Sequence, residues 1–301
     1  MQIIHSISEK HRLVSLPEPL HPLISVVSIA DMRFSDSIRW EKFTLDFYCI
    51  SLKRNVVGKS RYGQQYYDYD KGVMTFVAPR QVLSLPEIQA DSLNPASGYA
   101  LLVHPDFFFK HPLAAKIKSY GFFSYTVNEA LHLSEREEKS MVGIFQKIDE
   151  EYQHIDNHTQ DVLLSYIDLL LNYSNRFYQR QFITRKAISH DLLSKMEQLL
   201  NESFELAETL AHGVPTVESI AEKLNLTPSY LSDMLRSVTG QTAQQHIHEK
   251  VIEKAKEYLS TTNLTVAEIA YQLGFEYPQS LNKLFKKKTN ISPLEFRQTF
   301  N

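Results

Sequence analysis

A single cysteine, Cys49, in 301 residues rules out an intrachain disulfide and leaves too few thiolates for a metal cluster. Glycine is scarce at nine residues, and there is no glycine-rich phosphate loop, nucleophile elbow or triad spacing, so the residues make no case for catalysis. Long apolar runs are missing: nowhere do about 20 apolar residues follow one another without interruption. The opening MQIIHSISEKHRL mixes charged with apolar residues, so no secretory leader is expected. Nor is positive charge in excess, since 32 Lys and Arg stand against 35 Asp and Glu for a net −3. That excludes a uniformly basic binding surface, and any affinity for a polyanion has to come from a local cluster. These absences lead us to expect a soluble, cytoplasmic chain.

Apolar residues, at 43%, and aromatics, at 11%, suffice for cores in about two domains of roughly 100 to 200 residues each. Between about 24 and 103, the segments SVVSI, FTLDFYCISL, GVMTFVAP and GYALLV are rich in β-branched and aromatic residues and are bounded by Gly, Pro, Asn and Asp. Several short strands with no helical period between them predict a barrel or a sandwich. After Pro105 the pattern changes. Ser134, three residues before Glu137, predicts a capping box for a helix carrying Met141, Ile144, Phe145, Ile148 and Tyr152 on one face. HIDNH then breaks the chain, and from about Thr159 a second helix presents Leu163, Ile167, Leu170, Leu171 and Phe177. The stripe Leu163, Ile167, Leu170 and Leu171 suits either core burial or a dimer seam. A further helix carries Leu192, Leu193, Met196, Leu199, Leu200 and Phe204, and the domain boundary is expected near 180 to 190.

From Val217 onward one pattern is written twice, as SIAEKLNLTPSYLSDMLRSVTGQT and EIAYQLGFEYPQSLNKLFKKKTNIS. Ile220-Ala221 and Ile269-Ala270 lie 49 residues apart, and Met234-Leu235 and Leu284-Phe285 lie 50 apart, so the second copy holds one extra residue in its turn. Each turn contains a residue that tolerates positive φ, Asn225 or Gly274, before an apolar Leu226 or Phe275. Pro228 and Pro278 open the second helix of each pair, where a missing N–H costs nothing. Past these helices Thr242 with Gln245 and Ser292 with Glu295 occupy matching capping-box positions. A helix from about 243 to 259, with Ile247, Val251, Ala255, Tyr258 and Leu259 inward, spans about 25 Å between the copies. A duplicated helix-turn-helix on a stiff spacer suits two adjacent major-groove faces about 34 Å apart, and so an extended site on double-stranded DNA.

On the first recognition helix, Ser229, Tyr230, Ser232, Asp233 and Arg236 are expected to face solvent, with Leu231, Met234 and Leu235 inward. On the second, Tyr277, Gln279, Ser280, Asn282, Lys283 and Lys286 face out, while Leu281, Leu284 and Phe285 pack. Gln279 and Asn282 match adenine edges, and Arg236 and Lys283 match guanine. Lys287 and Lys288 suit phosphates, which position a protein without specifying sequence. From His190 onward acids outnumber bases by fourteen to eleven, so Lys283, Lys286, Lys287 and Lys288 stand out as the basic cluster. Asp233 is unusual on such a face; it can repel phosphate, accept from a cytosine amino group or pair with Arg236 at i+3.

These residues closely resemble the AraC/XylS family of bacterial transcription regulators, and specifically its members with a cupin-like N-terminal sensor domain. The likeness covers about 100 C-terminal residues, through IAEKLNLTPSYLSDMLRSVTGQT and AEIAYQLGFEYPQSLNKLFKKKTNISPLEFR, whose proline-started last helix ends in Arg297. VAPRQV, HPDFFFKHPL and YGFFSY carry the N-terminal part of it. The resemblance implies an α+β two-domain chain, with a cupin-like β-barrel over 1–130, a helical dimerisation region over 131–185 and a DNA-binding domain over 190–301. That last domain is all-α, with helix-turn-helix motifs at about 217–238 and 265–288 joined by a linker helix. It implies a homodimer on promoter repeats, a small-molecule effector, activation through RNA polymerase contact, and a place on the bacterial nucleoid.

A cupin-like barrel raises a rival reading, a small-molecule-binding protein or metal enzyme with an accessory DNA module. Metal-binding barrels of this kind offer a His-x-His pair on a strand, and none occurs in the strand region. His104 and His111 are seven apart beside prolines, and His246 and His248 lie on the linker helix, where i and i+2 do not face each other. Glu150, His154 and His158 are separated by a turn at Asp156-Asn157. No metal and no resident cofactor are expected. For an effector, Tyr48, Lys53, Arg54, Tyr62 and Tyr66 supply polar tips on long or aromatic stems.

Overall fold

A computed structural model of the chain describes residues 2–33, 42–54, 72–84, 97–126, 129–184, 186–204 and 212–299, together with the backbone of 60–62 and 65–67. It divides into two compact units, residues 1–181 and 182–301.

Among the described residues, the first unit holds ten strands: β1 Gln2–Ile4, β2 Ile24–Ser28, β3 Lys42–Leu45, β4 Tyr48–Arg54, β5 Ser60–Tyr62, β6 Gln65–Tyr67, β7 Val73–Val77, β8 Leu83–Ser84, β9 Ser97–Val103 and β10 Leu131–His132. β4 is central in an antiparallel sheet of order β10-β7-β4-β9-β2, where Ile50 lies opposite Phe76 on one side and Leu101 on the other. A smaller sheet runs β1-β3-β8, and β5-β6 is a hairpin. Side chains alternate along a strand, so Cys49, Val77 and Leu102 face the small sheet and pack with Ile4, Ile7, Phe43, Leu45, Phe47 and Leu83. The opposite face presents Tyr48, Ile50, Leu52, Met74 and Phe76 to a second, aromatic core. Both faces of β4 are thus covered, which is why it reads as a nearly continuous apolar run. The closed barrel expected from the sequence is not found: among the described residues the two sheets share no ladder, and each ends on an unjoined edge. Strand propensity specifies half-buried pleated segments but carries no information on whether the outer strands meet.

α1 is Ile7–Leu13 and α2 is Leu113–Lys116. Two longer helices, α3 Glu135–Tyr152 and α4 Thr159–Thr184, follow the sheet. The Ser134 and Glu137 capping box starts α3, and Asp156, which accepts from the backbone of His158 and Thr159, shapes the turn into α4. Phe145 of α3 stacks on Tyr99 at 5.6 Å, and Tyr178 of α4 meets Phe76 and Phe122.

The second unit is helical: α5 Lys186–Ser203, α6 Val217–Lys223, α7 Pro228–Thr239, α8 Ala243–Thr261, α9 Val266–Gln272, α10 Pro278–Thr289 and α11 Pro293–Gln298. Its core is built on α8, whose buried Ile247, Val251, Ile252, Ala255 and Leu259 receive Ile220, Leu231 and Leu235 from one side and Ile269, Leu281 and Phe285 from the other. Among the described residues no helix is long and apolar enough to cross a membrane.

Candidate nucleic-acid interface

The two helix pairs are built by the same local chemistry. Thr216 caps α6 in a reciprocal box with Ser219, and Thr265 caps α9 in one with Glu268. The turn is then closed identically, Leu226 N–H donating to the Ala221 carbonyl and Phe275 N–H to that of Ala270, each at 2.9 Å. Asn225 has φ 56 and Gly274 φ 83, the positive values that the composition of each turn implies. α7 and α10 each begin on proline, run twelve residues and end on a left-handed residue, Gly240 and Asn290. At their C-termini Thr239 and Thr289 repeat one bond set, to the carbonyls of Leu235 and Gln241 and of Phe285 and Ile291. Boxes at Thr242 and Ser292 start the following helices. The Thr-x-x-Ser and Thr-x-x-Glu boxes were legible in the sequence and add to the punctuation described above.

What the two recognition helices offer outward is unequal. On α10, Gln279, Ser280, Asn282, Lys283, Lys286, Lys287 and Lys288 are all exposed, over a buried Leu281 and Phe285. Tyr277 precedes them at the N-cap, 60% exposed and supplying no capping bond. Glu276 beside it is also exposed, a residue on this face that the sequence reading left out. Lys288 Nζ lies 3.9 Å from Glu249 of α8, which ties it to its own domain. On α7, Arg236 is exposed, and Ser229, Ser232 and Asp233 are half-buried. Arg236 Nη1 donates to Asp233 Oδ1 at 3.2 Å, so of the alternatives for this acid the structure forms the intrahelical pair. Tyr230 corrects the reading from periodicity. It is 3% exposed and packs edge-on to Phe182 of the same unit, a neighbour that the spacing along α7 does not reveal.

The segment 220–299 matches the helix-turn-helix domain family. The chain carries an AraC-family helix-turn-helix domain. This AraC-family domain is 31% identical over 113 residues to the arabinose operon regulatory protein of Escherichia coli, a match covering 37% of this chain and 39% of that one. A second relative, histidine kinase P4 of Formosa agariphila, is 27% identical over 127 residues, 42% of this chain and 9% of its own length. The chain therefore spans well under half the length of these curated relatives. Among solved structures, the C-terminal domain of the two-component response regulator yesN from Fusobacterium nucleatum is 35% identical, covering 34% of this chain and 93% of that one at a TM-score of 0.30.

Outside the AraC-family domain, the residues singled out for an effector do not converge. Tyr48 is buried between Phe108 and Phe123 and belongs to the aromatic core. Arg54 leaves the same face of β4 and is held by Glu138 of α3. Lys53 is half-buried and takes the alternate position, toward the small sheet. The side chains of Tyr62 and Tyr66 lie outside the described residues. The seam assigned to Leu163, Ile167, Leu170 and Leu171 is also corrected: all four are at most 1% exposed within one chain, so the stripe is already spent on the core. Among the described residues, the large apolar side chains that α4 leaves in solvent are Leu169, 42% exposed, and Ile183, 51% exposed, with half-buried Val162, Tyr166 and Tyr173 along the face of Leu169.

Proposed function

We propose that this chain is a sequence-specific, DNA-binding transcription regulator that inserts α7 and α10 into successive major-groove faces of double-stranded DNA. The observation that carries the reading is the repeated geometry itself. Two helix-turn-helix units with matched caps and matched turns flank a 19-residue helix about 28 Å long, close to the roughly 34 Å between adjacent groove faces. In it, Gln279, Asn282, Lys283 and Arg236 read bases, Ser229, Ser232, Asp233, Tyr277 and Ser280 support them, and Lys286, Lys287 and Lys288 contact phosphates. α10 supplies the larger electrostatic share, since Lys283, Lys286 and Lys287 face out beside Lys288, which lies near Glu249, whereas α7 offers Arg236 alone and pairs it with Asp233.

The N-terminal unit is the regulatory part. It takes a small-molecule effector in a cupin-like arrangement of its sheets, with Lys53 among the polar groups on the inter-sheet side, and the chain acts as a homodimer on promoter repeats. The face Val162, Tyr166, Leu169 and Tyr173 of α4 is the surface left for dimer contact, and RNA polymerase is the partner of the bound complex. Fluorescence anisotropy with genomic duplexes tests the core of this reading. Sub-micromolar binding to selected fragments, steeply weakened by salt, is the expected result; equal affinity for all fragments overturns it.

A further inference from the structure

The approach to the first motif touches the turn of the second. Residues 212–215 lead into the Thr216 cap of α6, and there Val214 N–H donates to the Gly274 carbonyl at 3.2 Å. Gly274 sits in the α9–α10 turn with φ 83, and Gly213 faces it with φ 75. A Cβ on Gly274 would fall 2.5 Å from the Gly213 carbonyl carbon and 2.6 Å from Val214 N, both backbone atoms that cannot swing aside. The first copy supplies an internal control. Its equivalent residue is Asn225, at φ 56, so this turn by itself accepts a side chain. What forbids one at position 274 is the contact with 213–214.

We propose that Gly213, Val214 and Gly274 form a clasp that sets the separation and twist of the two recognition helices, so that the chain reads its two DNA segments at one spacing only. The inference rests on the reading above, in which both helices enter the groove. The connecting helix α8 packs against both motifs, and each motif keeps the freedom of its own interface with α8. A second tie, from the entrance of one motif to the turn of the other, closes the connection into a ring and removes that freedom.

The test uses the full chain and a randomised duplex pool from which the wild-type protein selects its site. Inserting about five base pairs between the two selected segments turns one groove face away from the other. Wild type is expected to lose at least about tenfold in affinity on that insertion, as two contacts reduce to one. Gly274→Asn, which suits the turn but not the clasp, is expected to lose less than about threefold, with Asn225→Gly behaving as wild type. Gly213→Asn approaches from the other side, with a residue type that tolerates its left-handed φ of 75 and a Cβ 3.3 Å from the Gly274 carbonyl, and serves if Gly274→Asn loses its helical circular dichroism. A folded clasp variant that keeps the full wild-type insertion penalty overturns the proposal. Selection of only one segment by wild type overturns the two-helix reading itself, and with it the clasp.

Discussion

The ring of Tyr230 meets Phe182 edge-on, with centroids 5.1 Å apart and planes at 78°, inside the C-terminal unit. A residue that helical periodicity places on the reading face is therefore packed in the core of its own unit. Tyr230→Ala is expected to lower stability by about 3 to 5 kcal/mol, as for other large aromatic truncations. Tyr230→Phe should keep DNA affinity within about twofold, because the ring rather than a base contact is what matters. Chemical denaturation and anisotropy on the same samples check both; a folded Tyr230→Phe that loses sequence preference returns the residue to the interface.

Asp233 and Arg236 form an i,i+3 pair on a partly exposed face, an interaction of about 0.2 to 1 kcal/mol. Asp233→Ala frees the guanidinium and removes a negative charge from the reading surface, so DNA affinity is expected to rise about two- to fivefold. Weaker binding, confined to sites with a particular cytosine, would instead mark Asp233 as a base acceptor.

Lys286→Ala and Lys287→Ala are each expected to weaken binding across all sequences and to lower the slope of log affinity against log salt by about 1. Lys283→Ala should cost more than Arg236→Ala, since α10 carries the exposed cluster. Titrations at four salt concentrations separate these effects, and an equal loss from the two substitutions counts against the unequal division between α7 and α10.

Leu170→Ala and Leu169→Asp differ by one position and by the whole consequence. Leu170 is fully buried, so its truncation should cost about 2 to 5 kcal/mol. Leu169 is exposed, so Leu169→Asp should leave the melting temperature of unit 1 near wild type while converting a dimer to a monomer in sedimentation. A dimer unaffected by Leu169→Asp places the subunit contact elsewhere.

Glu268 and Glu295 accept the backbone N–H of Thr265 and Ser292 at 2.7 and 2.6 Å, and these bonds hold both carboxyls below their ordinary value of 4.5. Because the native values are depressed, the stabilisation is complete above about pH 4.5 and is lost as pH falls through them. Glu268→Gln with Glu295→Gln keeps the caps as neutral acceptors. It should flatten the fall of melting temperature below that pH; an unchanged acid limb would show that other carboxylates dominate it.

Local signals carried most of the C-terminal domain. Thr242, Ser292, Pro228, Pro278, Asn225 and Gly274 each act within four residues along the chain, through a cap, a fixed φ or a permitted positive φ, so a linear reading recovers them. The basic face of α10 was legible for the same reason, as a helix projects its side chains at known angles. Tyr230, the stripe from Leu163 to Leu171, and the pairing of Arg54 with Glu138 were not, because each depends on which neighbour covers a given face.

The sequence by itself therefore determined that the chain ends in a duplicated helix-turn-helix with one unequal, basic reader, since caps, turns and periodicity are properties of neighbouring residues. Only the tertiary structure decided that the strands form separate sheets of five, three and two strands among the described residues, that the leucine stripe of α4 is core, and that Gly213 lies against Gly274. Burial and close backbone approach are set by residues distant in the chain, and no spacing within one element encodes them.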